Sequence, residues 1–364
     1  MKFSPSSAER WFVCAGSTVL HELAEPTPQS KDALQGSNAH AMGEYLLKNN
    51  LPISVARPFF DDETLAAIET YIDYVRSLLN NNSILKVEQF FTLVMARQRI
   101  NGKVDSLLFQ PETKEAHVID YKNGGGILVY SEDNPQLMLY ALGALAFSKV
   151  YKINLEKVHL TIVQPKNWAT DAIQTWTIDK AKLKEIFKIV YDRLQYIIAH
   201  QEEYIPGEHC HWCPGILLCK KAIEYKEYVI EAIESNRLSI ENIKQLLHMK
   251  PIITEYFKSI ETKAQTMINQ GIIKPNEVGK KWVMQRTNRQ WVDEYRILQL
   301  LKEHEYTQAI KESIGSIRQL EKLFGKEWVN QNTIKKEGQI VLASIDDKRE
   351  EIVPFSKQGV LDGL

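Results

Sequence analysis

Residues 99–122, RINGKVDSLLFQPETKEAHVIDYK, decide how the fold is read. Two runs rich in branched and apolar residues, Arg99–Phe109 and Glu115–Lys122, flank the turn-forming Pro-Glu-Thr-Lys, a pattern that predicts a β-hairpin. Val87–Arg97 adds a strand before it, so three consecutive antiparallel strands are expected. Asn123–Gly126 then breaks the pattern, and Asn134–Ser148 reads as a helix so apolar that most of it must be buried. Two further strands, Val158–Gln164 and Gln174–Ile178, precede a long amphipathic helix over Lys180–Ala199. Upstream of the hairpin, Ser6–Glu25, Asn38–Lys48 and Asp62–Leu79 read as helices, the last closed by the Asn-rich stretch Asn80–Ser83. Helices, three strands, helix, two strands and helix together predict an α/β (α+β) fold, with a mixed central sheet flanked by helices.

Beyond Cys219 the chain becomes lysine-rich and helical in pattern. Ser239 opens a helix with apolar positions at Ile240, Ile243, Leu246 and Leu247, and Trp291–Glu303 and Ile317–Phe324 also read as helices. Short strands are expected at Trp282–Arg286 and Ile340–Ser344. The reading divides the chain into a domain at 1–224 and a mainly helical domain at 225–364.

Composition sets bounds on function. With 364 residues, 44% hydrophobic and 25% charged, the chain has the profile of a folded globular protein. Its longest apolar run, Leu137–Phe147, is too short to span a bilayer, and MKFSPSSAERW has no signal-peptide pattern, so a cytoplasmic protein with no membrane partner is expected. The net charge of -1 gives no global basic field, so a nucleic-acid site must be built from local clusters of Lys and Arg. Lys280, Lys281, Trp282, Arg286, Arg289 and Trp291 form one such cluster, able either to hold a DNA backbone or to serve as a solvated face with packed aromatics.

Asp120-Tyr121-Lys122 ends the apolar strand Ala116–Ile119 just before the glycine turn. A carboxylate two residues before a lysine is common, and the plain reading is an ion pair at a strand end. The context adds to it. Asp105 lies on the preceding strand, where the hairpin can bring it to Asp120, and residues 120 and 122 share one face because side chains alternate. Asp105 and Asp120 are hard oxygen ligands suited to Mg²⁺ or Mn²⁺, and a lysine beside them can orient a water and stabilise developing negative charge. Phosphodiester hydrolysis needs both.

These residues resemble the RecB-type branch of the PD-(D/E)XK nuclease superfamily, which includes the CRISPR-associated adaptation nucleases and the AddB nuclease domain. That branch has a small-residue segment and a histidine upstream of the carboxylates, matched by Gly36-Ser37-Asn38-Ala39-His40. It also has a glutamine and a tyrosine one helical turn apart after the lysine, matched by Gln136 and Tyr140. The resemblance implies a restriction-endonuclease-like core, with His40 joining Asp105 and Asp120 as metal ligands and with Gln136 and Tyr140 lining the site from a helix. Glu44, one turn after His40, reads as a solvated helix residue.

The four cysteines are Cys14, Cys210, Cys213 and Cys219, the last three in HCHWCPGILLCK. In a reducing compartment such a cluster points to metal rather than disulfides. Four thiolates suit either an iron-sulfur centre or tetrahedral zinc, and His209 and His211 are available as substitute ligands for zinc. The iron-sulfur members of the same branch share the division of one cysteine before the core and three after it. That resemblance implies a 4Fe-4S cluster on Cys14, Cys210, Cys213 and Cys219, with His209 and His211 as neighbours. It covers about the first 220 residues.

The expected activity is that of a Mg²⁺- or Mn²⁺-dependent deoxyribonuclease, an exonuclease acting on DNA ends or single strands. The whole chain is also similar to nucleases of bacteriophages and prophages. That likeness implies, by association, a role in DNA recombination, replication or repair beside a single-strand-binding protein or a helicase. The competing reading is a non-catalytic DNA-binding or assembly module that keeps the fold and the cluster.

Overall fold

A computed structural model of the chain describes residues 1–26, 31–167, 171–234, 239–284, 289–303, 310–311, 313–314, 317–335, 340–344 and 349–352. The expected hairpin and its neighbours form one five-stranded sheet. Its strands, β1 (Ile84–Met95), β2 (Gln98–Gln110), β3 (Glu115–Tyr121), β4 (Lys157–Val163) and β5 (Ile173–Asp179), lie side by side in chain order. All neighbours are antiparallel except β3 and β4, which run parallel. A parallel pair needs a crossover. Helix α5 (Pro135–Val150) provides it.

Alternation in β3 separates two cores. Ala116 and Val118 join the larger one with Leu137, Leu139 and Tyr140 of α5 and Leu183, Ile186, Val190 and Leu194 of α6 (Lys180–Ala199). Ile119 and Tyr121 face the other way, against Leu46 of α3 (Lys31–Lys48) and Ile68, Tyr71, Ile72 and Val75 of α4 (Asp62–Ser77). Each fully buried Leu, Ile or Val contributes roughly 1.5–3 kcal/mol. The start of α5 is set by Asn134, whose side chain accepts from the N–H groups of Gln136 and Leu137, followed by Pro135 at the first turn. Losing that cap costs about 1 kcal/mol and loosens the turn that carries Gln136.

The expected helix over Ser6–Glu25 is two helices, α1 (Ala8–Val13) and α2 (Ser17–Leu23). The break falls at Gly16, whose N–H donates to Glu203 O at 2.9 Å. A Cβ on Gly16 would come within 2.5 Å of the Tyr204 ring, so only glycine permits this approach.

After the sheet come α7 (Lys220–Glu234) and α8 (Ile240–Asn269). The chain divides into two compact units at Met1–Lys263 and Ala264–Leu364, whereas the sequence reading put a boundary at 225. The reason is burial. Ala222 of α7 and Ile252 of α8 sit in the same apolar cluster as Leu20, Cys210, Cys213, Ile216 and Cys219, which ties α7, and α8 as far as Lys263, to the first unit.

The second unit contains β6 (Lys280–Met284), β7 (Arg289–Trp291), α9 (Glu294–Glu303), β8 (Ile310–Lys311), β9 (Ser313–Ile314), α10 (Ile317–Asn332), β10 (Thr333–Lys335) and β11 (Ile340–Ser344). Its short strands pair as β6 with β11, β7 with β10 and β8 with β9. A small core of Ile297, Leu301, Leu320 and Val329 holds it together, with Trp291 packed on it. Trp291 therefore belongs to a strand and a core, not to the start of a helix. Asp293 opens α9 by accepting from Arg296 N at 2.9 Å. No helix among the described residues is long and apolar enough to cross a membrane.

Candidate active site and thiol cluster

The β2–β3 hairpin pairs from Gln110–Glu115 as far as Ser106–Ile119. Past that point the Tyr121 N–H donates to the Asp105 carboxylate at 2.7 Å instead of to β2 backbone. On its other edge β3 stays paired to β4 through Tyr121–Val163, and the Lys122 N–H still donates to Val163 O at 2.8 Å. The hairpin thus opens on one side only, beside its carboxylates.

On the α5 side of β3, Lys122 Nζ lies 2.8 Å from Asp120 Oδ2 and donates to Gln136 Oε1 at 2.9 Å. The Gln136 amide donates to Asp120 Oδ1 at 3.0 Å and to the Tyr140 hydroxyl at 2.9 Å. Alternation puts 120 and 122 on one face, and helical spacing puts 136 and 140 on one face. The two faces meet. The Asp120 side chain is 3% exposed, whereas that of Lys122 is 27% exposed and reaches solvent. Burial pushes the Asp120 carboxyl above the usual range, against the opposing pull of the Lys122 charge. Burial works against the Lys122 ammonium too, but the Asp120 charge and hydrogen bond outweigh it and hold that pKa above the ordinary lysine value.

On the α3 side, His40 Nδ1 stands 3.4 Å from Asp105 Oδ1 and 3.9 Å from Glu88 Oε1, its ring tilted over Tyr121 at 5.1 Å. Burial lowers the His40 pKa, but hydrogen bonding to Asp105 and the surrounding carboxylates reverse this and raise it overall. The ligand atoms of His40, Glu88 and Asp105 all lie within 4.8 Å of one another, close enough to share a metal ion.

Glu88 is the residue that the sequence reading missed. In β1 the buried positions are Val87, Phe91, Leu93 and Met95, so alternation assigns Glu88 to the solvent side with Phe90, Thr92 and Val94. Its backbone, however, is left-handed (φ 54°), and neither Glu88 nor Asp105 pairs in the β1–β2 register between Val87–Ser106 and Gln89–Val104. The kink turns the carboxylate inward until its side chain is 6% exposed, ion-paired to Lys103. A non-glycine residue held this way is strained and must be stabilised by its surroundings. Burial pushes its pKa up, with Lys103 opposing.

His40, Asp105, Asp120, Lys122, Gln136 and Tyr140 thus come together at the open end of the hairpin, as two linked halves. The metal-type grouping is His40, Glu88 and Asp105. The Asp120 carboxylate is held by Lys122 and Gln136. Glu44 pairs with Lys48 at 2.6 Å along the helix surface.

Cys14, Cys210, Cys213 and Cys219 are all buried, all free, and line one cavity with Arg10, Leu20, Tyr204 and Ile216. A Cβ on Gly215 would come within 2.6 Å of Leu20, so this glycine lets the cysteine loop close on α2. Burial raises the Cys14 thiol and drives Cys210 and Cys213 up to about 11 and about 12, with Arg10 opposing in each case. His209 Nε2 donates to Ile205 O at 2.9 Å and His211 Nδ1 faces Glu255 at 3.2 Å, so both have partners of their own. Among the described residues two groups of His, Cys, Asp or Glu gather within 4.8 Å, and neither contains a cysteine.

Of the C-terminal cluster, Lys280, Lys281 and Trp282 are half-buried on β6, Trp291 packs on the small core, and Arg289 lies on β7. Arg286 and the side chain of Arg289 lie outside the described residues.

Residues 1–350 match the model of a family described as "Protein of unknown function (DUF2800)". The chain belongs to DUF2800. The DUF2800 match runs through both compact units, so the second unit is part of what defines the family. Among solved structures, the chain is similar to "Crystal structure of SSO0001" at 13% identity and TM-score 0.27, over 60% of this chain and 86% of that one. It is also similar to a phage-related exonuclease from Haemophilus somnus 129PT at 16% identity and TM-score 0.21, over 55% and 96% respectively.

Proposed function

We propose that this protein is a divalent-cation-dependent deoxyribonuclease of the PD-(D/E)XK type that acts on DNA ends or single strands. The observation that carries the reading is the bridge from Lys122 through Gln136 to Asp120, placed beside the grouping of His40, Glu88 and Asp105. A buried grouping of two carboxylates and an imidazole fits Mn²⁺ or Mg²⁺, since like charges crowded out of water are relieved by a cation. Held by His40, Glu88 and Asp105 with Asp120 next to them, such a cation would neutralise phosphoryl oxygens and acidify a water. Lys122 keeps its proton, fixed in place by Asp120 and Gln136, and presents the ammonium to the charge that builds on the phosphate. Tyr140 holds the amide of Gln136, and so sets the position of Lys122 at one remove.

The thiol cavity fits a metal centre as well, because four free, buried thiols gather there and a coordinating thiol is deprotonated outright. The division of one cysteine before the core and three after it favours a 4Fe-4S cluster on Cys14, Cys210, Cys213 and Cys219 over zinc. Four free clustered thiols also suit a cytoplasmic setting. Partners inferred with this activity are a single-strand-binding protein or a helicase that exposes the substrate.

Incubating the anaerobically purified protein and Mn²⁺ with end-labelled linear and single-stranded DNA tests the reading. Cleavage should occur and should be abolished by Lys122→Ala and by Asp120→Asn with folding intact. Absence of cleavage by the wild-type protein on both substrates overturns it.

A further inference from the structure

A second group of metal-type ligands lies at the opposite end of the β3–β4 seam. His117 and His159 are register partners on these two strands, and their rings stack at 4.4 Å with planes 18° apart. Glu115, two residues before His117, shares its face, and Glu115 Oε2 is 3.4 Å from His159 Nε2. The donor atoms of all three residues lie within 4.8 Å of one another.

The hydrogen bonding of this group is incomplete. His117 is 8% exposed, and neither of its ring nitrogens has a hydrogen-bond partner. A buried imidazole with both nitrogens idle forfeits the solvation of a donor and of an acceptor, a cost that native interiors avoid. Its neighbour on the β2 side is Leu108, which offers no polar atom from its side chain. His159 is oriented: Nδ1 contacts Thr177 Oγ1 at 2.9 Å, which leaves Nε2 turned toward Glu115. A hydroxyl on the far nitrogen is the arrangement that fixes the tautomer of a metal-bound histidine. Lys157, at 3.7 Å from Glu115 Oε1 and 56% exposed, stands at the rim.

We propose that Glu115, His117 and His159 bind a zinc ion, or a first-row transition metal of similar preference, which clips β3 to β4. Two imidazoles and one carboxylate form a nitrogen-rich set that prefers zinc to magnesium, with the remaining position open to water. The location gives the ion a task. The β3–β4 pairing is the parallel one in a sheet otherwise antiparallel, and parallel pairing is slightly weaker per residue. His117 and Asp120 are three residues apart on β3, or about 10 Å along the strand. The ion is therefore separate from the site assigned to phosphodiester cleavage.

The test uses the full-length protein with its thiol site as purified, dialysed against Zn²⁺ with excess Mg²⁺ present to fill the carboxylate site. Metal analysis should find one more zinc per chain in the wild type than in His117→Gln or His159→Gln, and Zn²⁺ should raise Tm more in the wild type than in either variant. Co²⁺ substitution should give weak visible bands without the near-ultraviolet absorption of thiolate ligands. Glu115→Gln, at a partly exposed position, guards against misfolding of the histidine variants. With an unchanged circular-dichroism spectrum it should weaken Zn²⁺ binding by about tenfold or more. Equal zinc content and equal Tm response in the wild type and all three variants would mean that the histidines are only a stacked pair, and would overturn the proposal.

Discussion

The side-chain amide of Gln136 donates to Asp120 Oδ1 at 3.0 Å while its oxygen accepts from Lys122 at 2.9 Å. One neutral residue thus holds both members of an ion pair from a helix that crosses over them. Gln136→Ala frees the Lys122 ammonium to move without emptying the site of charge. Single-turnover cleavage should slow by roughly ten- to a hundredfold, with the unfolding midpoint nearly unchanged.

Glu88 is held in a left-handed conformation to point inward. Glu88→Gln removes one negative charge from the grouping with His40 and Asp105 while keeping its shape. The Mn²⁺ concentration for half-maximal cleavage should rise about tenfold or more, with the maximal rate at saturating Mn²⁺ changed less. An unaltered Mn²⁺ dependence would remove Glu88 from the ligand set.

Cys213 lies in the buried thiol cavity. Cys213→Ser should lose iron and inorganic sulfide together with visible absorption, and lower Tm, since site assembly and folding are coupled. A colourless wild-type protein holding one zinc at these cysteines would refute the cluster assignment.

Two histidines make stability fall on acidification. Burial, then the charges of Arg10 and Lys2, pull His21 from 6.5 to about 4. Burial, then His159, pulls His117 to about 4, with Glu115 opposing. Arg10 Nη2 lies 3.0 Å from His21 Nδ1, a contact that requires a neutral acceptor. Between pH 6.5 and 4 the unfolded chain takes up protons that the folded one refuses, so stability falls with pH across that window. His40, raised in the fold, works in the opposite direction. Urea midpoints measured in EDTA at about pH 7 and about pH 5 should therefore separate the contributions. His21→Gln and His117→Gln should each flatten the drop seen in the wild type, and an equal drop in all three proteins would contradict it.

Much of this was legible from the chain. Runs of branched and apolar residues on either side of the Pro-Glu-Thr-Lys turn located β2 and β3, and the helix over Lys180–Ala199 has the limits that its apolar spacing implies. Ordered motif positions were enough to bring His40, Asp105, Asp120, Lys122, Gln136 and Tyr140 into one region. What escaped the sequence depends on partners far along the chain. Glu88 sits in the solvent phase of its strand, and only a local backbone inversion overrides that. The break at Gly16 answers to Tyr204, and the allegiance of α7 and α8 to the first unit answers to burial against the cysteines. The pairing of His117 with His159 depends on the register across a crossover, which periodicity does not encode.

Helix α1 is six residues long, with Trp11 in the large core beneath α5 and Cys14 directly following in the thiol cavity. A helix so short has no independent stability. During synthesis Cys14 emerges roughly two hundred residues before Cys210, a delay of roughly ten to forty seconds at ordinary elongation rates. Throughout that interval the sheet can assemble and take Trp11 into its core, while the thiol cavity still lacks three of its four cysteines. The last part to close is therefore the cavity around Cys14, and the folded chain reports that its own translation passed residue 219.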